Sequence, residues 1–576
     1  MQTIRDYMKK NGYDAIVVPT ADAHQNEYPA EAYRLRAHLS GFTGSAGTLV
    51  VTQENAGLWT DGRYELQAEK QLAGTGIDLY CTAYPNTTTI EQFLRTLPEE
   101  ATVAIDGGRM SVSEYRRLKR GIAAKLVSTL DSDALWPDAP PLPGTKLEMP
   151  ASAAAGGTVS EKLERLRAAL EEKNADATFI GASEDIAWLL NLRGADTPGT
   201  PIFYAYAWVS AEDAVLFVPE EKLTEPIRQA LTDAGVEISS YESALGFLQK
   251  NTQSVLLDPD RTNVTHYQAV DEVLRMDEQN PTTPMKAKKT KEEIDCLKEA
   301  YRKDGLALTA FFHWLEQHGA GHTEYEVGEK LRAFREEQPG FSEPSFDTIA
   351  GYGSNGAIIH YRAEEDSARI ENKSLLLLDS GGQYDTGTTD ITRTVAMGEL
   401  TREEKRDYTL TLKSHIALAS AHFLEGAQGV VLDGFARYPL WQEGIDYKHG
   451  TGHGIGFMLS VHEGPMGISR QVRDTPIEPG HVLSIEPGIY RAGKHGIRIE
   501  NIGVVEKSEE TEFGSFLCFD MLSYCFIDTR PLDLTLLSPQ EKKWLNTYHR
   551  KVYELLAPDL TDELRGYLKE RTRPVY

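Results

Sequence analysis

The chain has 576 residues, several times the usual length of one domain, so two to four domains, each with its own core, are expected. Its formal charge of -27, from 60 Lys+Arg against 87 Asp+Glu, repels phosphate backbones and anionic headgroups, which argues against nucleic acid or a membrane surface as partner. With 40% hydrophobic residues, no apolar run near the roughly 18 to 20 of a membrane span, and four cysteines without a CxxC pair, it reads as a folded cytoplasmic protein without a disulfide framework.

The opening MQTIRDYMKKNGYDAIVV predicts a short amphipathic helix running into a strand, with none of the marks of a secretory leader. Residues 136–157, with PDAPPLPG and ASAAAGG, and residues 280–291 read as spacers. Between them the chain echoes its own start: IRDYMKKNGYDAIVVPTADA returns as LERLRAALEEKNADATFIGASED, and the strand-like stretch through GLWTD returns as the one through AVLFV. The expected organisation is therefore an α/β domain over 1–150, a second over 158–288, a larger region over 289–512 and an extension over 513–576. The third region opens on a helix from Lys291 to about His318 and turns strand-rich after Phe346. The extension holds the strand-like FGSFLCFDMLSYCFI and then a helix capped by Ser538 and Glu541, with no chemistry visible in it.

The chemistry lies in the third region. In SLLLLDSGG four leucines end at Asp379, a pattern of a buried strand delivering a carboxylate. A hairpin centred between Tyr384 and Asp385 would set Asp379 opposite Asp390, with Cβ atoms ~5 Å apart. In HVLSIEPGIYRAGKHGIRIENIGVV a hairpin centred on Gly493 would set Glu486 opposite Glu500, and alternation puts Arg498 on the face of Glu500. Carboxylates that close repel unless they share a proton or a cation. Any one of these acids alone would be read as a solvated carboxylate or ordinary ion pair; two matched hairpins shift that reading.

Between the hairpins, KHGTGHGIG spaces His449 and His453 as in an HExxH helix, but Gly450, Gly452 and Gly454 would cost a helix roughly 1 kcal/mol each. In a Gly-rich strand the two histidines share a face ~13 Å apart, so only one of them is expected to bind the same ion as the acids. Four carboxylates and one imidazole suit Mn²⁺, Co²⁺ or Zn²⁺. A pair of such ions ~3.5 to 4 Å apart could trap a bridging water as hydroxide. The Gly351-Tyr-Gly353-Ser-Asn-Gly356 stretch fits the dinucleotide fingerprint but is followed by AIIHY, a β-like run rather than a helix. His360 in that run reads, by itself, as a satisfied core or surface group.

Together LLDSGGQYDTGTTDITRT, HGTGHGIG, VHEGP, IEPGIY and GIRIEN resemble the creatinase/aminopeptidase P branch of the pita-bread metallopeptidases. PTADAHQNEY, GFTGSAGT, LWTDGRY, AWLLNLRG and WLNTYH extend the resemblance to the cytosolic-type, three-domain Xaa-Pro aminopeptidases over nearly the whole chain. The resemblance implies an α/β (α+β) architecture of two creatinase-N-like domains, a pita-bread catalytic domain and a C-terminal extension. It implies Asp379 as ligand of one metal, Asp390 and Glu500 as bridging ligands, and His453 and Glu486 as ligands of the other, with Mn²⁺ foremost among the candidate ions. It makes Glu486 the proton acceptor from the bridging water, and adds His360, His462 and His449 as catalytic and substrate-binding histidines. Arg63 and Arg498 join the substrate-binding set, the first reaching the site from the partner subunit of a homodimer and the second standing beside the bridging glutamate. The implied activity is removal of the first residue from peptides with proline second.

Rival readings are a dipeptide-only prolidase or a creatinase-like hydrolase on the same fold, and a non-catalytic pita-bread binding protein. Length and the C-terminal extension favour the longer-peptide enzyme over the first pair. The retention of five metal-ligand residues disfavours the last.

Overall fold

The computed structural model describes all 576 residues and divides into two compact units, Met1–Thr283 and Pro284–Tyr576. No helix is long and apolar enough to cross a membrane.

The first unit contains the predicted repeat. Helix α1 (Gln2–Asn11), ended by Gly12 in the left-handed region, leads into β1 (Ala15–Pro19). With β2 (Thr48–Thr52), β3 (Ala56–Thr60), β4 (Asp78–Cys81), β5 (Thr102–Ile105) and β6 (Lys125–Val127) it forms a sheet of order β4-β3-β2-β1-β5-β6. Helix α2 (Val159–Glu172), capped reciprocally by Thr158 and Glu161, leads in the same way into β7 (Ala177–Ile180). The strands β8 (Tyr206–Ser210), β9 (Ala214–Phe217), β10 (Glu237–Ser239), β11 (Val255–Leu257) and β12 (Arg275–Asp277) complete a second sheet of order β10-β9-β8-β7-β11-β12. Antiparallel and parallel pairings fall at the same places in both sheets.

The PTADAHQNEY segment joins the two sheets. The buried Asp22 accepts from Tyr204 Oη at 2.9 Å, and His24 Nδ1 lies 2.7 Å from the Gly181 carbonyl. The spacer expected over 280–291 is not extended: residues Thr282–Ala287 are helical, and the hydroxyls of Thr282 and Thr283 donate to Asp185 at 2.7 and 2.6 Å. Buried hydroxyls that find such an acceptor hold the segment down, which polar composition alone did not reveal.

The second unit opens on α3 (Lys291–His318), where Thr290 and Glu293 cap each other and Leu297, Tyr301, Leu308, Phe311, Phe312 and Leu315 fill the buried face. Its strands are β13 (Phe341–Pro344), β14 (Ile349–Tyr352), β15 (Leu375–Ser380), β16 (Gly382–Tyr384), β17 (Gly387–Thr388) and β18 (Ile391–Ala396), then β19 (Phe423–Leu424), β20 (Gly452–Gly454), β21 (Glu463–Ile468), β22 (Val482–Ile485), β23 (Gly488–Arg491), β24 (His495–Arg498), β25 (Asn501–Thr511) and β26 (Gly514–Met521). They make three-stranded sheets β13-β16-β17 and β14-β15-β18, a six-stranded sheet β19-β26-β25-β22-β20-β21, and the pair β23-β24. Helices α4 (Arg402–Ala419), α5 (Gly429–Trp441) and α6 (Pro539–Leu556) complete the parts used below. The strand expected over the whole of FGSFLCFDMLSYCFI stops at Met521; residues 523–527 are buried coil.

Candidate metal centre

The first acid hairpin forms with a shifted turn. The central strand β15, its four leucines buried, pairs Asp379 with Thr392 and Ser380 with Ile391, while β16 and β17 pair Tyr384 with Gly387. The turn therefore lies between Asp385 and Thr386, one residue beyond the expected centre, and Asp379 is not directly opposite Asp390. Contacts outside the hairpin accompany this turn: Lys303 Nζ of α3 pairs with Asp385 Oδ1 at 2.7 Å, and the Asp385 N–H donates to the Gly340 carbonyl at 2.8 Å. A slip of two residues leaves every side chain on its face. Asp379 and Asp390 thus remain diagonal neighbours on one face, and Asp379 still acts electrostatically on Asp390.

The second hairpin keeps its predicted register. Gly493, with φ +73°, makes the turn; Gly488 pairs with Arg498 on one side of the acid pair, and Ile485 pairs with Asn501 on the other. Glu486 and Glu500 face each other between these pairs, where the strands part and each acid's N–H turns to a new acceptor, Thr451 for Glu486 and Thr392 for Glu500.

The histidines resolve into different roles. The strand around His453 is three residues long, so His449 is not on it; it sits in the preceding bend. His453 Nδ1 lies 3.0 Å from the Gly454 carbonyl, which fixes the proton on Nδ1 and turns Nε2 toward Asp390 Oδ2 at 3.5 Å and Glu486 Oε1 at 3.4 Å. The His462 ring stands edge-on to His453 with centroids 4.3 Å apart. His449 Nε2 is 2.8 Å from Tyr490 Oη, which accepts from Arg498 Nη1 at 2.7 Å. His360 follows not a β-run but a 3₁₀ turn over Gly353–Ala357. Gly356 and Gly496 pass so closely that a side-chain carbon on either would meet the other's backbone, which lays this turn on β24.

Arg498 is buried and fully engaged. Its Nη2 donates to Asp379 Oδ2 at 2.6 Å and to the Ile359 carbonyl at 3.4 Å, and its Nε reaches Thr392 Oγ1 at 3.2 Å; that hydroxyl donates to Glu500 Oε2 at 2.9 Å. Arg63 belongs to the other unit, where Asp61 holds its guanidinium in a two-point pair at 2.9 and 2.8 Å, with Glu27 at 3.7 Å.

Electrostatics shows what this donor set lacks. Burial, then repulsion from Asp379 and Glu486, holds the Asp390 carboxyl well above the usual range; Glu500 is raised by burial and by Asp390, Glu486 and Asp379. Glu486 is pushed up to about 7, burial outweighing the opposing pull of Arg498. Asp379 Oδ1 and Glu500 Oε1 are buried with no hydrogen-bond partner. Ligand atoms of Asp390, His453 and Glu500 lie within 4.8 Å of one another. Buried oxygens of Asp379 and Glu500 without partners, beside an imidazole nitrogen turned toward Asp390 and Glu486, fit divalent cations of the Mn²⁺, Co²⁺ or Zn²⁺ kind.

Sequence reasoning missed Thr392, Ser484 and Tyr490, although each sits an even number of residues from a predicted ligand on the same strand face. Ser484 Oγ accepts from the His453 N–H at 2.9 Å and donates to Glu486 Oε1 at 3.3 Å. Tyr301, also missed, reaches in from α3 with its buried hydroxyl beside Asp390 and Glu500; burial and those two charges raise its pKa well above the ordinary value. No local pattern could have linked a helix residue to these strands.

Comparison with known proteins gives a consistent result. Residues 295–507 match Metallopeptidase family M24, residues 1–132 and 138–293 each match the Creatinase/Prolidase N-terminal domain, and residues 515–575 match the C-terminal region of peptidase M24. The chain is similar to Aminopeptidase P2 of Arabidopsis thaliana, 41% identical over 98% of this chain and 86% of the relative. Among solved structures it is similar to the X-prolyl aminopeptidase of Caenorhabditis elegans, described as a cytosolic enzyme with a di-nuclear active site, with TM-score 0.94 and 34% identity over 98% of this chain and 95% of that one. Similarity to the Xaa-Pro dipeptidase of Bacillus anthracis is partial: TM-score 0.53 and 27% identity over 64% of this chain, against 99% of that chain.

Proposed function

The chain belongs to metallopeptidase family M24, in its Xaa-Pro aminopeptidase branch, and from that premise we propose that it is a two-metal enzyme releasing the first residue of peptides whose second residue is proline. The observation that carries this reading is the convergence of Asp390, His453 and Glu500, with Glu486 Oε1 3.4 Å from His453 Nε2 and buried oxygens of Asp379 and Glu500 left without partners. Asp379 would hold one metal, His453 and Glu486 the other, and Asp390 and Glu500 both. Such ions supply Lewis-acid activation of water and polarisation of the scissile carbonyl.

The chain's own residues supply the rest. Glu486, beside the other carboxylates and held at one oxygen by Ser484, would take a proton from the attacking water and give it up again. Arg498 aims Asp379 by donating to its Oδ2, and Thr392 holds one oxygen of Glu500. His360 and His462 would contact the substrate and the developing negative charge on the carbonyl oxygen, and His449, oriented by Tyr490, would stand on the proline side. Arg63, held by Asp61, would reach the substrate of a partner subunit. A proline amide has no N–H and a ring-fixed geometry, so cleavage needs a site that fits the ring and protonates its departing nitrogen.

We assign the four domains to 1–150, 158–288, 289–512 and 513–576, the location to the cytoplasm, and the working metal to Mn²⁺. We also infer a homodimer. Val431, Phe435, Tyr438 and Trp441 make an exposed apolar stripe along α5 at helical spacing, Tyr438 being 62% exposed, and a second copy would cover it. Replacing Phe435 and Tyr438 by Glu should then halve the mass found by sedimentation equilibrium; a wild-type chain that is already monomeric rejects the dimer.

The activity is tested with purified protein and Mn²⁺ on Xaa-Pro-Xaa tripeptides beside Xaa-Pro dipeptides and creatine. Release of the first residue from the tripeptides, abolished by a chelator, is expected. Hydrolysis confined to dipeptides or creatine would transfer the assignment to a prolidase or creatinase-like enzyme.

A further inference from the structure

The C-terminal extension carries no residue of the metal centre, yet it ends against the back of it. Residues 523–527 are buried coil, so their carbonyls need donors that no strand partner provides. Two side chains supply them, Arg393 with several N–H groups and Tyr548 with one O–H among close acceptors. Tyr548 Oη, on α6, lies 2.8 Å from the Ser523 carbonyl and 2.7 Å from the Cys525 carbonyl. Arg393, 1% exposed, donates to the carbonyls of Cys525 at 2.7 Å and Phe526 at 2.8 Å.

The same two side chains grip the ligand strands. Arg393 Nη1 donates to the Glu500 carbonyl at 2.6 Å and to the Thr392 carbonyl at 3.0 Å, and its Nη2 donates to Asn501 Oδ1 and to Tyr548 Oη, both at 2.8 Å. Tyr548 Oη is also 3.1 Å from Asn501 Oδ1. With its oxygen so occupied, Asn501 turns its amide nitrogen to His415 Nε2 at 3.2 Å, and His415 Nδ1 donates to the Ile485 carbonyl at 3.0 Å. Burial and the Arg393 charge push His415 down to about 3, so this ring stays neutral and keeps one donor and one acceptor. One chain of bonds therefore runs from the extension to the backbone of Glu500 and to the residue before Glu486. Every acceptor of the Arg393 guanidinium in this chain is neutral, so the fork acts by geometry and not by an ion pair.

We propose that Arg393 and Tyr548 are positioning residues of the metal centre, through which the C-terminal extension fixes the spacing of Glu486 and Glu500 from behind. The inference rests on reading those two acids as metal ligands. A purely structural role would lower stability without altering metal affinity, and the two can be separated.

The experiment titrates Mn²⁺ into metal-depleted full-length protein by calorimetry and records the melting temperature of each metal-free protein. Tyr548→Phe removes one hydroxyl and keeps the ring; Arg393→Lys keeps the charge and loses the fork. Both should weaken Mn²⁺ binding by about 10 to 100-fold, the usual effect of losing a residue that orients a ligand. Turnover at limiting Mn²⁺ should fall, and excess Mn²⁺ should restore it with KM unchanged. Val552→Ala, on the same helix and fully buried, serves as the packing control and should lower the melting temperature while Mn²⁺ affinity stays at the wild-type value. Wild-type affinity in Tyr548→Phe or Arg393→Lys, whichever folds, overturns the proposal, as does equal weakening in Val552→Ala. A wild-type protein that binds no Mn²⁺, Co²⁺ or Zn²⁺ overturns the metal reading itself, an outcome distinct from the others.

Discussion

Glu486 has two tasks that place opposite demands on its proton. As a ligand it must be ionised, whereas as an acceptor of the water proton it must have a pKa near the working pH. Burial raises it, Arg498 and His462 lower it, and Ser484 donates to one oxygen, leaving it at about 7 without a metal. Gln at this position keeps size and one carbonyl oxygen but cannot take a proton. For Glu486→Gln, kcat is expected to drop by about 10² to 10⁴-fold, the range for loss of a general base, with KM little changed when metal is saturating. Steady-state kinetics with the bound metal measured on the same sample checks this, and turnover within a few-fold of wild type would remove Glu486 from proton transfer.

At the scale of elements, the two acid hairpins differ in how much their local sequence could say. In RAGKHG it is Gly493 that takes the left-handed turn, with φ +73°, and the register of Glu486 and Glu500 is centred on it. In QYDTGT the turn falls one residue later, with Gly387 at φ +151° against Leu297 and Lys303 of a distant helix paired with Asp385. Alternation survived that error because the slip was even. A further element was invisible in the sequence: Glu463, directly after His462, sits fully buried between Lys286 and Lys289, 2.7 Å from the first and ion-paired with the second. Two lysines from a stretch read as a spacer thus hold the segment that presents His462. Glu463→Gln removes the carboxylate that both ammonium groups contact, and breaking a buried pair in this way costs about 3 to 5 kcal/mol. Urea denaturation should show that loss. A change below about 1 kcal/mol, the range of exposed pairs, would mean the lysines find water instead.

Across the whole molecule, the repeat in the first unit was readable because helix, strand and turn recur in the same order, and the two sheets share one strand order. The work of the C-terminal extension was not readable, since Tyr548 and Arg393 are 155 residues apart and only folding brings them together. The acids tie the stability of the entire chain to metal and pH. Without metal, Glu486 in the native protein keeps its proton up to about 7, whereas the unfolded chain releases it near the ordinary value of 4.5. Between those two values the native state binds more protons, so its stability falls as pH rises through that window, and the loss is complete above the native pKa. Asp390 and Glu500, also raised, push in the same direction. Bound cations replace those protons and remove the penalty. The difference in melting temperature between Mn²⁺-loaded and metal-free protein should therefore widen from pH 5 to pH 8. Taking the difference cancels groups remote from the centre, so a gap that stays constant or narrows as pH rises would show that these carboxyls do not carry the raised pKa values in the native protein.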